Sequence, residues 1–372
     1  MAAASLPSFY IYEDAGLDHT GLLECVPSWR FDDQTAEASV LHLLFQHRAR
    51  VHDAAQATLF VIPVLPYISM MAGSCLGTTH EARMGAAAHA LRRQETFQRQ
   101  RGRDHLLVSN TFRLSTLRAL KPLLQNATVG WFEQPRVPRP GPNTLYKLAF
   151  WRCTVVVPYQ PNPSCRTQAL AHPHLPRSTS VFFQGSIGAG SQVRRRLATL
   201  KQLPRSHIEP FTRDNLGALA AGSNDTEHAR RMASFSKTGS AAGMRASEFC
   251  IVPKGDTPTS SRLYSAIACG CVPLIIADHI RPHLAFSRAV DFERFVAFVP
   301  EGEFGRDPVA AVSNATARLA PRLGSIRDAM EEVAPDVLLE YEPSSRSRVV
   351  DHLLAEWRSD CEQPAAQAAH PE

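Results

Sequence analysis

No apolar run in this chain approaches the ~18–20 residues that a membrane-spanning helix needs, so no stretch of it reads as a bilayer span. The first residues lack the basic, apolar and small-residue succession of a signal peptide, so the expectation is either a soluble protein or an anchor that lies outside this sequence. There is no GxxxxGKS/T, which excludes a P-loop. No GxGxxG follows the first apolar run, which excludes the common dinucleotide fingerprint. Eight cysteines offer no set of closely spaced pairs for a structural zinc; only Cys269 and Cys271 are near neighbours. Basic residues form no dense stripe. The net charge of +5 is mild, with one short run at Arg194, Arg195 and Arg196, and a nucleic-acid partner is disfavoured. A weakly basic surface helps gather an anionic substrate without identifying one.

What is present is a globular composition, 44% apolar and 20% charged over 372 residues. That is enough for two domains of roughly 150–200 residues, each with its own core. Cys250, Cys269 and Cys271 flank or occupy apolar segments and read as core thiols; Cys153 with Cys165 is one open disulfide pairing elsewhere. Three glycosylation sequons occur, at Asn126, Asn224 and Asn314, which is compatible with a secretory lumen.

Apolar runs at Phe9–Tyr12, Ala57–Val64, His105–Ser109, Thr128–Phe132 and Thr154–Pro158 read as strands. Helical patterns lie between them at Thr35–Arg50, Ala86–Arg99 and Leu114–Leu124. Continuous apolar strands alternating with helices predict a parallel sheet covered on both faces. The stretch Pro158–Pro176 holds five prolines and reads as a linker. A second α/β pattern then opens at Ser180–Gln184, with strands at Phe249–Val252, Val272–Ile276 and Phe295–Val299 and helices at Arg194–Leu203, Ala310–Arg318 and Pro321–Val333. The expected division is an N-terminal domain over 1–165, a C-terminal domain over 177–345, and a closing helix and tail over 346–372. Two such domains, facing across a cleft, hold ligands outside the carboxyl ends of their strands.

The segment Phe249–His279 is the most informative. Strand FCIV ends at Pro253, and the turn Lys254-Gly255-Asp256-Thr257 leads into a helix expected from about Thr259, capped by Thr257 or Asp256. Free N–H groups at a helix start favour anions. Thr259, Ser260 and Ser261 add hydroxyl donors, and Arg262 adds a fork suited to phosphate oxygens. Gly270 reads as the C-cap before the next strand. The competing reading is an ordinary capped helix on a βαβ unit.

At this point the sequence resembles a known family. FCIVPKGDTPTSSRLYSAIACGCVPLIIAD is similar to the signature of the exostosin-like glycosyltransferases. VHDAAQATLFVIPVLPY, GRDHLLVS, SVFFQGSIG and FVAFVPE follow the family's other blocks in order. The resemblance implies an α/β transferase of two Rossmann-like domains (the GT-B arrangement). It further implies an inverting mechanism, a UDP-sugar donor held by the second domain, no metal in the chemical step, and a glycan or glycoprotein acceptor on the first domain. A Golgi lumen, a homo- or hetero-oligomer, and a membrane association only through an anchor absent from this sequence are family expectations as well.

Inverting transfer needs an acceptor for the hydroxyl proton, positive partners for the leaving diphosphate and in-line positioning. Arg262 is the expected diphosphate contact, assisted by Lys254, Gly255, Asp256, Thr259 and Ser260. Gly185, Ser186 and Gly188 form a second turn at a strand end. Asp104 is a candidate base, with His105 orienting it or binding acceptor; a structural role in a turn is the alternative. Glu13, Asp14 and His19 follow the first strand, and Asn110 and Arg113 are weaker acceptor-side candidates. One departure stands out. Where relatives carry Pro-Phe-Glu, this chain has Ala285-Phe286-Ser287, so Ser287 replaces a carboxylate expected to grip the donor ribose; Asp278 and Glu293 lie nearby. That departure motivates the alternative of an inactive glycan-binding or partner subunit. A phosphorylase is a third class.

Overall fold

The structure, a computed structural model, describes residues 6–26, 35–109, 114–135, 150–165, 176–187, 192–211, 237–339 and 346–362. The chain divides into two compact units, residues 1–159 with 348–372, and residues 160–347. Each is an α/β unit built on a five-stranded parallel sheet.

In the first unit β1 (Phe9–Ile11), β2 (Leu59–Ile62), β3 (His105–Val108), β4 (Thr128–Trp131) and β5 (Cys153–Val156) lie side by side in chain order. The runs LFVI, HLLV and TVGW are buried along their whole length, as strands covered on both faces must be. The helix Ala36–Gln46 buries Val40, Leu43 and Leu44 at the expected spacing. The polar pattern expected as one helix over Ala86–Arg99 is two, His80–Arg93 and Glu95–Gln100, because Gln94 between them is extended. Thr79 caps the first by accepting the Ala82 N–H.

In the second unit the order is β10-β9-β8-β6-β7, with β6 Thr179–Ser186, β7 Ser206–Phe211, β8 Ser247–Pro253, β9 Val272–Ile276 and β10 Ala297–Phe298. β7 escaped the sequence reading because SHIEPF is mostly half-exposed and carries Pro210, which suits an edge strand.

The cysteines correct an expectation. Rather than core thiols, all eight form disulfides: Cys25–Cys75, Cys153–Cys361, Cys165–Cys269 and Cys250–Cys271. Cys153 therefore pairs with Cys361 and not with Cys165. An apolar strand position hides a thiol from water but does not keep it from a neighbouring strand's thiol. Cys250 on β8 and Cys271 just before β9 have Cα atoms 5.7 Å apart, inside disulfide reach. Cys153–Cys361 ties the C-terminal segment, with its helix Val349–Glu356, to β5 of the first unit.

Candidate functional site: the β6–β8 crevice

The chain leaves β6 for β7 on one side and returns for β8 on the other. Such a reversal of winding opens a crevice at the carboxyl ends of the two strands, where ligands of open α/β sheets collect. One bank is Gln184–Ser186, the end of β6; the other is Lys254–Thr257, which follows β8. Sequence reading made Gly185 and Ser186 part of a turn. They are instead the last paired residues of β6, opposite Pro210 and Phe211.

Two arginines tie the banks. Arg262, the first residue of the helix Arg262–Ala268, donates from Nη2 to the Gln184 carbonyl at 2.6 Å, and its Cζ lies 5.0 Å from the centre of the Phe183 ring. Arg194 donates from Nε to the Lys254 carbonyl and from Nη1 to the Ser186 carbonyl, both at 2.8 Å. Burial lowers the pKa of Arg194, with Asp256 pulling the other way; a guanidinium so placed keeps its charge. Carbonyl acceptors use N–H groups but leave that charge in place. A phosphate within ~5 Å of one guanidinium gains about 3 kcal/mol at an effective dielectric near 20.

The glycines follow from this packing. A Cβ on Gly185 would stand 1.9 Å from Arg262 Nη2 and 2.9 Å from its Cζ. A Cβ on Gly255 would meet the Thr259 carbonyl at 3.2 Å, because the chain folds back over Gly255. That fold also delays the helix. It begins at Arg262 and not near Thr259, and its N-cap Ser261 makes no side-chain cap, so neither Thr257 nor Asp256 caps it. Thr257 and Thr259 are buried with their hydroxyls 3.2 Å apart, and Ser260 Oγ lies 3.4 Å from the Arg262 N–H. Lys254 is bound to Glu301, whose other oxygen takes the Asp278 N–H at 3.1 Å. Asp278 returns the bond by accepting the Glu301 N–H at 2.9 Å.

Ser287 is not gathered into this group. It lies exposed after Phe286, a fully buried residue held at a φ of 57°. Glu293 is paired with Arg281 at 2.7 Å. Gly188, Asn110 and Arg113 lie outside the described residues.

In the first unit, Asp104 and His105 stand at the amino end of β3, opposite the ligand-bearing end of a parallel sheet. Asp104 Oδ1 is 2.8 Å from His105 Nδ1, and His105 Nε2 is 2.6 Å from the Tyr12 hydroxyl. His105 is wholly buried among the rings of Tyr12, Phe60 and Phe97. Burial pushes the His105 pKa down against the pull of Asp104. Removal of an acceptor's proton by this pair does not fit the placement, because the ring is wholly buried and its Nε2 is taken up by the Tyr12 hydroxyl. The structural alternative fits it.

At the carboxyl end of β1, Glu13 is exposed and 3.4 Å from Arg50, and Asp14 accepts the Gly16 N–H at 2.8 Å. His19 is buried, and its Nδ1 takes the Leu65 N–H at 3.2 Å. Arg194 is the residue that sequence reasoning missed. It sat inside a basic run, and the signal that would have found it is its place on the first helix after the glycine-bearing end of β6.

The chain is similar to the probable arabinosyltransferase ARAD1 of Arabidopsis thaliana, at 27% identity over 308 residues, covering 80% of this chain and 58% of that protein. It is similar to the probable glucuronosyltransferase GUT1 of Oryza sativa subsp. japonica, at 30% over 148 residues, covering 40% of this chain and 32% of that protein. The chain thus spans less than two thirds of the length of these relatives. Among solved structures, the pneumococcal O-GlcNAc transferase GtfA in complex with UDP and GlcNAc superposes with a TM-score of 0.38 at 11% identity, over 76% of this chain and 61% of that one. The family model described as the Exostosin GT47 domain matches residues 9–312, and the chain belongs to that family.

Proposed function

We propose that this chain is an inverting glycosyltransferase that moves a sugar from a UDP-sugar to a hydroxyl of a glycan or glycoprotein acceptor. The observation that carries the reading is the pair of guanidiniums, Arg194 and Arg262, fastened across the β6–β8 crevice. In this reading the acceptor oxygen attacks the donor's anomeric carbon and the bond from that carbon to the diphosphate breaks. The charge that builds on the leaving diphosphate is met by Arg262, with Arg194 holding Ser186 and Lys254 at a fixed separation. Lys254, Gly255, Asp256, Thr259, Ser260, Gly185 and Ser186 form the walls. The acceptor's proton goes to a carboxylate at the ligand end of the first sheet, Glu13 or Asp14, and Asp104 with His105 acts as scaffold. No metal takes part, so turnover survives a chelator. The oxidised cysteines support a secretory lumen, of which the Golgi is the family's compartment.

Calorimetric titration with UDP and a panel of UDP-sugars tests the reading. Saturable binding that Arg262→Ala weakens about 100-fold is expected, which matches the loss of a charge-assisted contact of about 3 kcal/mol. Failure of any uridine diphosphate compound to bind at millimolar concentration sinks it. For the proton acceptor, Glu13→Gln or Asp14→Asn lowers kcat, while Asp104→Asn lowers the melting temperature first. The exposed Ser287 favours one second reading, a glycan-binding subunit without turnover. Glycan binding by a folded protein that transfers nothing across that panel would establish it.

A further inference from the structure

We infer that Asn314 carries an N-linked glycan in the mature protein. The sequon Asn314-Ala315-Thr316 lies in the middle of the helix Pro308–Leu319. That helix turns Pro308, Ala311, Val312 and Ala315 inward. Asn314 is on the opposite, exposed stripe with Ala310, Ala317 and Arg318. Residues three and four apart are the neighbours on a helix surface, so on that stripe Ala310 and Ala317 put only single methyl groups over and under Asn314, with Arg318 beside them. An outward helix stripe ordinarily carries long charged residues. Here Arg318 is the one long side chain beside an amide that is a poor helix former, less favourable than alanine by roughly 0.5 kcal/mol.

A second, independent observation places the chain where the modification happens. All eight cysteines are oxidised into four disulfides, a pattern that forms and persists in the secretory route and not in a reducing cytosol. The same route carries the machinery that modifies Asn-x-Thr. The donor is an oligosaccharide on a lipid diphosphate. A bond forms between Asn314 Nδ2 and the first sugar's anomeric carbon as that carbon's bond to the diphosphate oxygen breaks. The amide nitrogen gives up one of its two protons to solvent, and the lipid diphosphate leaves. No oxidant or reductant is needed. The reaction precedes helix formation, since in the fold Thr316 Oγ1 is 3.0 Å from the carbonyls of Val312 and Ser313.

Asn126-Ala127-Thr128 is the contrast. Thr128 opens β4 with no exposed surface, and its backbone pairs with both Leu106 and Cys153. Asn126 Nδ2 already donates to the Arg101 carbonyl at 3.3 Å. A glycan there would displace that contact beside a strand that must enter the core. The structure assigns the sugar to Asn314 and leaves Asn126 bare. Asn224 lies outside the described residues.

The full chain, translated into microsomes that glycosylate and oxidise, gives the test. Enzymatic deglycosylation in heavy-oxygen water marks each occupied asparagine for peptide mass mapping. The mark is expected on more than half of the Asn314 peptides and on almost none of the Asn126 peptides. Asn314→Gln, and separately Thr316→Ala, should each remove one glycan step from the gel mobility while leaving uridine diphosphate binding and melting temperature unchanged. An unmarked Asn314 peptide in protein with no free thiols overturns the inference. So does marking of Asn126 in place of Asn314.

Discussion

The two units are built from the same grammar of short apolar strands, yet among the described residues only one of them reverses its winding. In the first, β1 to β5 run in order across the sheet; in the second, β7 and β8 lie on either side of β6. The use of arginine follows the winding. Arg83 in the first unit is buried and closes on the carbonyls of Ser69, Gly73, Cys75 and Thr78 within one local loop. Arg194 and Arg262 reach instead from one strand end to another, over the place where the sheet opens. The same side chain is thus a loop fastener in one unit and a rim of positive charge in the other.

The largest effect expected concerns what holds each unit together. Cys153–Cys361 closes 208 residues of chain, and Cys250–Cys271 closes 21. Loop-closure entropy makes the first worth about 5 kcal/mol and the second about 3 kcal/mol. Denaturant unfolding of Cys153→Ala/Cys361→Ala should therefore show the greater loss, falling on the first unit, while Cys250→Ala/Cys271→Ala weakens the second. Equal losses, or a larger one from the short bridge, would show that chain entropy does not govern these two ties.

Next in size is the exchange of roles between arginines. Arg262→Ala should lower uridine diphosphate affinity about 100-fold, or roughly 3 kcal/mol, with a small change in melting temperature. Arg83→Ala should do the reverse, since it removes a charged donor's bonds to four carbonyls at once, such bonds being worth about 1.5–3 kcal/mol each, and should leave the affinity of whatever protein remains folded unchanged. Gly185→Ala is the sharper probe of the second unit. Its methyl would overlap Arg262 Nη2, so it should copy the binding defect of Arg262→Ala without removing any charge. Binding that survives Gly185→Ala would mean that the position of Arg262 against β6 does not matter to the ligand.

Much of this was legible in the sequence, and the rest was hidden for definite reasons. Strands such as LFVI and VPLII announce themselves because a sheet covered on both faces needs unbroken apolar runs. β7 did not, because an edge strand need not be apolar. Arg262 and Gly185 are singled out by chemistry and motif, but the closeness of the two is not, since it joins residues far apart in the chain. Disulfide partners are likewise set by three-dimensional proximity and cannot be read from spacing. For Asp104 and His105 the structural alternative is favoured by something the sequence itself contains. Asp104 precedes β3 and His105 opens it, whereas Gly185 and Ser186 close β6 and Lys254–Thr257 follow β8, and ligands gather at the carboxyl ends of strands.

The smallest effect separates the units by pH. Burial lowers the pKa of His19, His47, His80 and His105, all in the first unit, and His19 is brought to about 4. A histidine held neutral in the fold but free to charge at its ordinary value of ~6.5 when unfolded makes the unfolded chain bind more protons between those two values. Stability is then undiminished above pH ~6.5 and falls as the pH drops toward 4. For His19 the step from pH 6.5 to 5 corresponds to about 2 kcal/mol. Asp104 acts lower down: its pKa is depressed by His105 and Arg99 against burial, so its contribution is lost only below the ordinary carboxylate range. His19→Asn keeps an acceptor for the Leu65 N–H but cannot take a proton. Unfolding followed by tryptophan fluorescence, since all four tryptophans (Trp29, Trp131, Trp151 and Trp357) fall within the first unit's stretches of sequence, should show less stability lost between pH 6.5 and 5 in this variant than in the parent. An unchanged pH slope would mean that His19 is already charged in the fold, and that the first unit's acid sensitivity arises elsewhere.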